Sequence, residues 1–200
     1  MFVFAWTKVA AHLAGILVTS TVLVHGGQPY TPRLYEGWLQ QFYVPSPPGY
    51  VDFGIGPCAN AGELGCMEWT APIATVRIER SDRLDRFTFA HEMGHVFDYY
   101  VLSRTGGRDR FAVLEGFPWT TPRSEEYFAD SYALCALHRH LQRAVTTGYG
   151  FRVTPALHTR ICSLIRTTFS EWQASTRLGA PGQTLPALPG LAPVKAAGHG

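Results

Sequence analysis

The sequence lacks any concentration of positive charge. Charged residues make up only 16% of the chain, and the formal net charge is +2 at pH 7. The arginines that follow residue 76 are scattered among apolar residues instead of being gathered in one segment. A nucleic-acid-binding protein is expected to carry a concentrated basic face. We therefore expect no nucleic-acid partner and interpret these arginines as part of a solvated surface.

The chain also lacks the cysteine spacing of a metal site. No two cysteines have the C-x-x-C spacing, and the only asparagine, Asn60, is followed by Ala-Gly, so no N-glycosylation acceptor exists. An even count of four cysteines fits disulfides and export. Of three possible pairings we favour Cys58–Cys66, which would close a short Gly-rich loop, and Cys135–Cys162, which would join two predicted helices.

The first 27 residues are almost free of charge. Lys8 is their only charged residue, and residues 9–24 form an almost wholly apolar run. A positive start followed by such a run is typical of a secretory signal or a short membrane anchor. The alternative is an N-terminal helix or strand of the folded domain. We favour export, which predicts a secreted or membrane-anchored extracytoplasmic protein with a possible N-terminal membrane contact.

Residues 28–176 predict one α+β domain. Two segments have β-branched or alternating patterns, and three have helical spacing of apolar residues. Two of the helices begin at a Thr-Pro pair, in which threonine suits the N-cap and proline the first helical position. In chain order the predicted elements are the strands Tyr50–Ile55 and Ile73–Ile78 and the helices 84–102, 121–141 and 154–175. The Pro-, Gly- and Ala-rich segment 177–200 has no periodicity, and we expect it to be disordered.

The segment His91-Glu92-Met93-Gly94-His95 carries the chemistry. It lies inside the first predicted helix, where residues four apart share one face, so both imidazoles can bind one zinc ion. Glu92 projects about 100° away, from where it can act as general base on a zinc-activated water without ligating the metal. Gly94 is costly in a helix, which suggests that another element approaches closely at this point.

The second predicted helix offers the third ligand that a catalytic zinc normally takes. Glu126 and Asp130 lie four residues apart on one face. We favour Glu126 as the ligand, with Glu125 and Asp130 itself as rivals. Asp130 would otherwise hydrogen-bond the far nitrogen of a ligand histidine and so determine its tautomer.

This combination, H-E-x-x-H followed by E-x-x-x-D, resembles the gluzincin branch of the zincin metallopeptidases. The metzincin pattern is excluded, because the positions where it needs Gly and His hold Asp98 and Val101. The resemblance implies a minimal zincin-like fold, in which a small sheet precedes the metal helix and two more helices complete the core. It also implies that the strand before the metal helix, Ile73–Ile78, could line the active-site edge, although a plain core strand has the same pattern.

The resemblance further implies zinc-dependent hydrolysis of peptide bonds in a peptide or protein substrate. Glu92 would accept a proton from water and deliver it to the leaving amine. The alternatives are an amidase of cell-wall peptides on the same motif, and a non-catalytic zinc-binding or interaction module. A donor that stabilises the oxyanion is expected. The candidates are Tyr99, Tyr127, Tyr132 and His138.

Overall fold

The computed structural model describes residues 31–55, 57–58, 62–70, 73–78, 86–120 and 122–178. The predicted leader lies outside these residues, and so does the predicted disordered tail from residue 179 onward; the first two tail residues, 177 and 178, are helical, so that part of the prediction is wrong. Within the described part of the chain, no helix is long and apolar enough to span a membrane.

The described residues form an α+β domain, as expected. Five α-helices accompany a three-stranded sheet and a small two-stranded hairpin. The helices are α1 Thr31–Gln40, α2 Arg86–Tyr100, α3 Gly107–Glu115, α4 Arg123–Leu137 and α5 Pro155–Leu178. The strands are β1 Tyr50–Ile55, β2 Gly65–Thr70, β3 Ile73–Ile78, β4 Val145–Thr146 and β5 Arg152–Val153.

The three-stranded sheet has the order β1-β3-β2. β3 pairs in parallel with β1 and antiparallel with β2. The suggestion that Ile73–Ile78 lies at the active-site edge is therefore wrong. β2, which the sequence patterns did not predict, pairs with the side of β3 that faces away from β1 and lies at the edge of the sheet. Ala74, Val76 and Ile78 of β3 are buried, which agrees with a half-buried strand.

The three predicted helices are present, with shifted ends. α4 stops at Leu137, because His138 is extended, and α5 continues three residues beyond the predicted end. The expectation of only two helices after the metal helix is wrong, because α3 lies between α2 and α4. Gly106 has φ 64° and acts as the N-cap of α3, so the Gly106-Gly107 pair that ends one helical segment also begins the next.

Helices α2 and α4 pack in close contact, and Gly94 permits this. A Cβ atom at Gly94 would lie 2.7 Å from Ala129 Cα and 3.1 Å from Tyr132 Cβ. The expected close approach of another element at Gly94 is thus confirmed, and that element is α4. The buried ring of Phe97 on α2 extends the same contact, because its centroid lies 5.3 Å from the centroid of the Tyr132 ring on α4.

Both favoured disulfide pairings are confirmed. Cys135–Cys162 joins α4 to α5, and Cys58–Cys66 joins the segment before the edge strand to β2. The first bond holds the C-terminal helix against α4. The second ties the segment at Cys58 to the start of β2, and so helps to fix the position of β2 beside α2.

We predict that Gly94→Ala lowers the free energy of unfolding by about 1–3 kcal/mol, because the new methyl group meets backbone that cannot move aside freely. This loss should appear although alanine favours a helix by about 1 kcal/mol over glycine. Urea denaturation of both proteins measures the difference.

Gly37→Ala is the matched control for this substitution. Gly37 also lies inside a helix, but nothing lies within 4 Å of the place that a Cβ atom would take there, so the variant should be as stable as the wild type or more stable. If both variants gained stability equally, the contact between α2 and α4 at Gly94 would not limit the packing.

Candidate metal centre

Three side-chain atoms from α2 and α4 converge on one point. His91 and His95 lie one turn apart on α2, and their Nε2 atoms are 3.1 Å apart. Glu126, in the first turn of α4, places Oε2 3.2 Å from His91 Nε2 and 3.6 Å from His95 Nε2. Of the described residues, His91, His95 and Glu126 thus form a group that could hold a metal ion, as the sequence predicted.

These separations are close to those between the ligand atoms of a tetrahedral metal ion. Ligand atoms about 2.0–2.1 Å from zinc lie about 3.3 Å apart in a tetrahedron. Glu126 Oε2 is buried yet accepts no well-directed hydrogen bond. A buried acceptor without a donor is costly, and a cation among the three atoms would remove that cost.

Asp130 orients the first histidine. Its Oδ1 lies 2.8 Å from His91 Nδ1, and both residues are buried. Because a carboxylate can only accept, His91 Nδ1–H donates, and the neutral ring then presents the lone pair of Nε2 to the other two ligand atoms. Asp130 therefore lies where the sequence predicted, hydrogen-bonded to the far nitrogen of a candidate ligand histidine. This contact raises the basicity of His91.

The electrostatics of the cluster favour positive charge at this point. Burial alone lowers the pKa of His91, but the carboxylates of Asp130 and Glu126 outweigh it and raise this pKa to about 9. Burial acts to raise the pKa of Glu126, yet the two histidines hold it well below its ordinary value. Both shifts indicate that the carboxylates of Asp130 and Glu126 favour a positive charge at the histidines.

Glu92 lies beside the convergence point but is not part of it. Its side chain is buried, and burial raises the pKa of its carboxyl although His91 and His95 act in the opposite direction. The edge strand leaves room for it, since a Cβ on Gly65 would lie 2.8 Å from Glu92 Oε1. A buried carboxyl beside a candidate metal position is placed where it could accept a proton from metal-bound water.

A cleft of about 630 Å³ opens in front of these residues. The edge strand β2 forms one wall, α2 forms the floor, and the start of α4 with the loop at Gly148 and Tyr149 forms the other wall. His91, Glu92, His95 and Glu126 all line this space. Molecules that enter the cleft can therefore reach the convergence point directly.

The sequence patterns missed Tyr149, which lines the cleft beside His91 and is a candidate for the oxyanion donor. Its ring stacks on the His91 ring at a centroid distance of 5.8 Å, and it lines the same cleft as Glu126. Partial burial of the phenol, together with the nearby Glu126 carboxylate, raises the pKa of Tyr149 well above its ordinary value, so it keeps its proton. The flanking glycines Gly148 and Gly150 indicate only a turn between β4 and β5.

Three of the four donors proposed from the sequence lie elsewhere. The Tyr127 hydroxyl accepts a hydrogen bond from Arg123, and the Tyr132 hydroxyl donates to the carbonyl of Pro45. His138 is exposed just past the end of α4 and does not line the cleft. Tyr99 does line the cleft, on the face of α2 beyond His95. The position of a tyrosine along a helix could not predict whether its hydroxyl reaches the cleft, because each of these helices packs against neighbours on several sides.

Glu125, the rival ligand, faces away from the convergence point. Its carboxylate lies 3.8 Å from Arg108, which also makes two hydrogen bonds of 2.7 and 2.8 Å to buried Asp98. Neighbours on a helix project about 100° apart, so Glu125 and Glu126 cannot face the same point. Glu125 nevertheless lines the same cleft.

A second cluster with metal-ligand residue types has a different explanation. Cys135, His158 and Cys162 lie close together and are buried, but the two cysteines form a disulfide. His158 instead places Nε2 3.4 Å from the carbonyl of Leu134. A disulfide offers no thiolate, so this group is a structural cross-link.

We predict that the full chain binds about one zinc ion and that the ion is lost from a His91→Ala/His95→Ala variant, as measured by elemental analysis. Glu126→Gln should weaken the affinity far more than Glu125→Gln, because only Glu126 reaches the convergence point. Asp130→Asn should weaken it by about 10- to 100-fold, because the acceptor of the His91 Nδ1–H bond loses its negative charge and His91 becomes less basic. Competition with a chromophoric chelator measures each affinity.

Glu125→Gln serves as the matched control here, since it makes the same chemical change one residue away. Equal loss of affinity in the two glutamine variants would contradict the ligand assignment. Failure of the well-folded wild type to bind supplied zinc would contradict the site itself.

No protein-family model, no curated protein and no solved structure matches this chain. The site is therefore interpreted from its own geometry.

Proposed function

We propose that this chain is a zinc-dependent peptidase with a minimal zincin-like fold. The observation that carries the proposal is the convergence of His91, His95 and Glu126 beside the buried carboxylate of Glu92, at the floor of an open cleft. Three protein ligands with access on the remaining side are the pattern of a catalytic zinc, whereas a structural zinc is usually closed by four.

Each residue of the site has a separate role in the proposed reaction. Zinc bound by the three ligands would polarise a scissile carbonyl and lower the pKa of water. Glu92 accepts a proton from the attacking water and passes it to the leaving amine. Asp130 holds His91 in the tautomer that presents Nε2. Tyr149 carries a protonated hydroxyl at the cleft wall, from which it donates to the oxygen that gains negative charge.

The edge strand supports a peptide as the substrate. Among the described strands β2 pairs with β3 alone, and it lines the cleft and runs beside α2. An extended peptide can add to such an edge through main-chain hydrogen bonds, which are independent of its side chains. We propose that β2 takes the role first suggested for β3. The order of the motifs, with the H-E-x-x-H helix before the E-x-x-x-D helix, supports the gluzincin branch.

The two disulfides support a location outside the cytoplasm. Disulfides form and persist in oxidising compartments and are rare in the cytosol. Both pairs join described elements, and one of them borders the cleft. We therefore propose that the enzyme acts on extracytoplasmic peptides or proteins.

We predict that Glu92→Gln reduces kcat by about 10²- to 10⁴-fold, because glutamine fills the same space but cannot accept the proton. Bound zinc should stay at the wild-type level, since Glu92 is not a ligand. Cleavage of a fluorogenic peptide mixture, with zinc content measured on the same samples, tests both parts.

Glu171→Gln is a suitable control, because Glu171 is exposed and pairs with Arg110 away from the cleft. Wild-type hydrolysis by the Glu92→Gln protein would overturn the proposed mechanism. Zinc binding by the wild type without hydrolysis of any peptide would favour a non-catalytic zinc module.

A separate prediction concerns the donor. Tyr149→Phe should reduce kcat by about 10²- to 10³-fold, because one oxyanion donor is lost. The change in KM should be small, since the ring that stacks on His91 is retained. Tyr43→Phe, which alters an exposed tyrosine outside the cleft, should leave kcat unchanged. A raised KM with unchanged kcat would instead assign Tyr149 to substrate binding.

A further inference from the structure

The cleft is strongly acidic. Seven carboxylates line it, and none of its described lining residues is lysine or arginine. These carboxylates are Glu63, Glu68, Glu92, Asp98, Glu125, Glu126 and Asp130. A divalent ion at the convergence point and the guanidinium of Arg108 would bring only three positive charges to this region. A narrow space with such an excess of one sign concentrates ligands of the opposite sign.

Glu125 is one of four lining carboxylates that the proposed chemistry does not use, the others being Glu63, Glu68 and Asp98. It stands beside the ligand Glu126 but turns toward the end of the cleft at Asp98 and Tyr99. Arg108 is already committed to Asp98 by two short hydrogen bonds, and its distance to Glu125 is longer, at 3.8 Å. The Glu125 side chain remains about a quarter exposed, so a ligand can reach it.

Two aromatic rings form a wall at the same end of the cleft. Trp69 of the edge strand stacks on Tyr99 of α2 at a centroid distance of 5.0 Å, with an angle of 21° between the planes. Tyr99 keeps 37% of its surface exposed. Aromatic faces attract ammonium and guanidinium groups, and they also pack against the methylene chains that carry them.

The distance from this wall to the metal ligands suits one long side chain. Tyr99 lies four residues after His95 on α2, which is a rise of about 6 Å. A lysine or arginine side chain spans roughly the same length when extended. A residue next to the scissile bond could therefore place its main chain at the convergence point and its charge beside Glu125.

We propose that Glu125 and the Trp69–Tyr99 stack form a subsite for a lysine or arginine side chain, so that the substrates are polypeptides cut beside a basic residue. This inference rests on the proposed peptidase function. It commits the cleft to cationic substrates, whereas the metal centre alone accepts any peptide.

Matched peptides test the inference on the full-length wild-type chain. A series of octapeptides differs at one position, which carries lysine, norleucine or glutamate, and that position is moved along the peptide. Norleucine has nearly the same alkyl chain as lysine but no charge. At one position we expect kcat/KM for lysine to exceed that for norleucine by about five- to tenfold, with glutamate lowest. The ratio should fall as salt is added.

Glu125→Gln should reduce the lysine-to-norleucine ratio to about twofold or less. Asp109→Asn removes an equivalent charge from an exposed position on α3 outside the cleft, and it should leave both rates and their ratio unchanged. Trp69→Leu provides a second variant that keeps the carboxylate and removes one ring. It should also lower the ratio. Hydrolysis without any preference for lysine, or with a preference that both variants retain, would overturn the subsite.

A binding measurement separates this inference from the proposed function. Fluorescence anisotropy of the labelled lysine, norleucine and glutamate peptides is measured on zinc-loaded Glu92→Gln protein. Tighter binding of the lysine peptide that requires Glu125 would support the subsite even if the wild type cleaved nothing. Equal binding of the three peptides, together with cleavage by the wild type, would sink the subsite and leave the peptidase intact.

Discussion

The close contact between α2 and α4 is the constraint on which the site depends. Gly94 lets the two helices approach until Ala129 backbone fills the space of a side chain. At that separation the first turn of α4 brings Glu126 within 3.2 Å of His91 Nε2, and the next turn brings Asp130 to His91 Nδ1. A wider spacing would leave the two histidines on α2 without their carboxylate partners.

The same geometry explains why so many charged groups are buried together. His91, Glu92 and Asp130 are all nearly inaccessible to solvent, which would be costly if any of them stood alone. They are arranged so that each carboxylate faces a ring nitrogen or the cleft. A bound cation would offset the remaining negative charge. Such concentrations of perturbed groups at the floor of a cleft are typical of functional sites.

A small sheet and one disulfide form the opposite wall of the cleft. β2 reaches the cleft because β3 occupies the centre of the sheet and pairs on both sides. The Cys58–Cys66 bond attaches the preceding segment to that edge, and Gly65 keeps the strand close to Glu92. These local restraints hold the wall formed by β2 beside α2.

The sequence by itself determined the elements whose signals are local. Helical spacing placed His91 and His95 on one face, the Thr-Pro pairs located two helix starts, and the E-x-x-x-D pair supplied both Glu126 and Asp130 as candidates. Gly94 signalled a close contact because glycine is otherwise unfavourable inside a helix.

Only the tertiary structure decided which strand forms the cleft wall, which glutamate faces the metal position and which tyrosine lies beside it. β2 has no strong alternating pattern, and its edge position depends on pairing with β3. Glu125 and Glu126 are identical in type and adjacent, so their roles differ only through the rotation of α4 against α2. Tyr149 reaches His91 from a turn more than fifty residues away, and no local pattern encodes a contact of that kind.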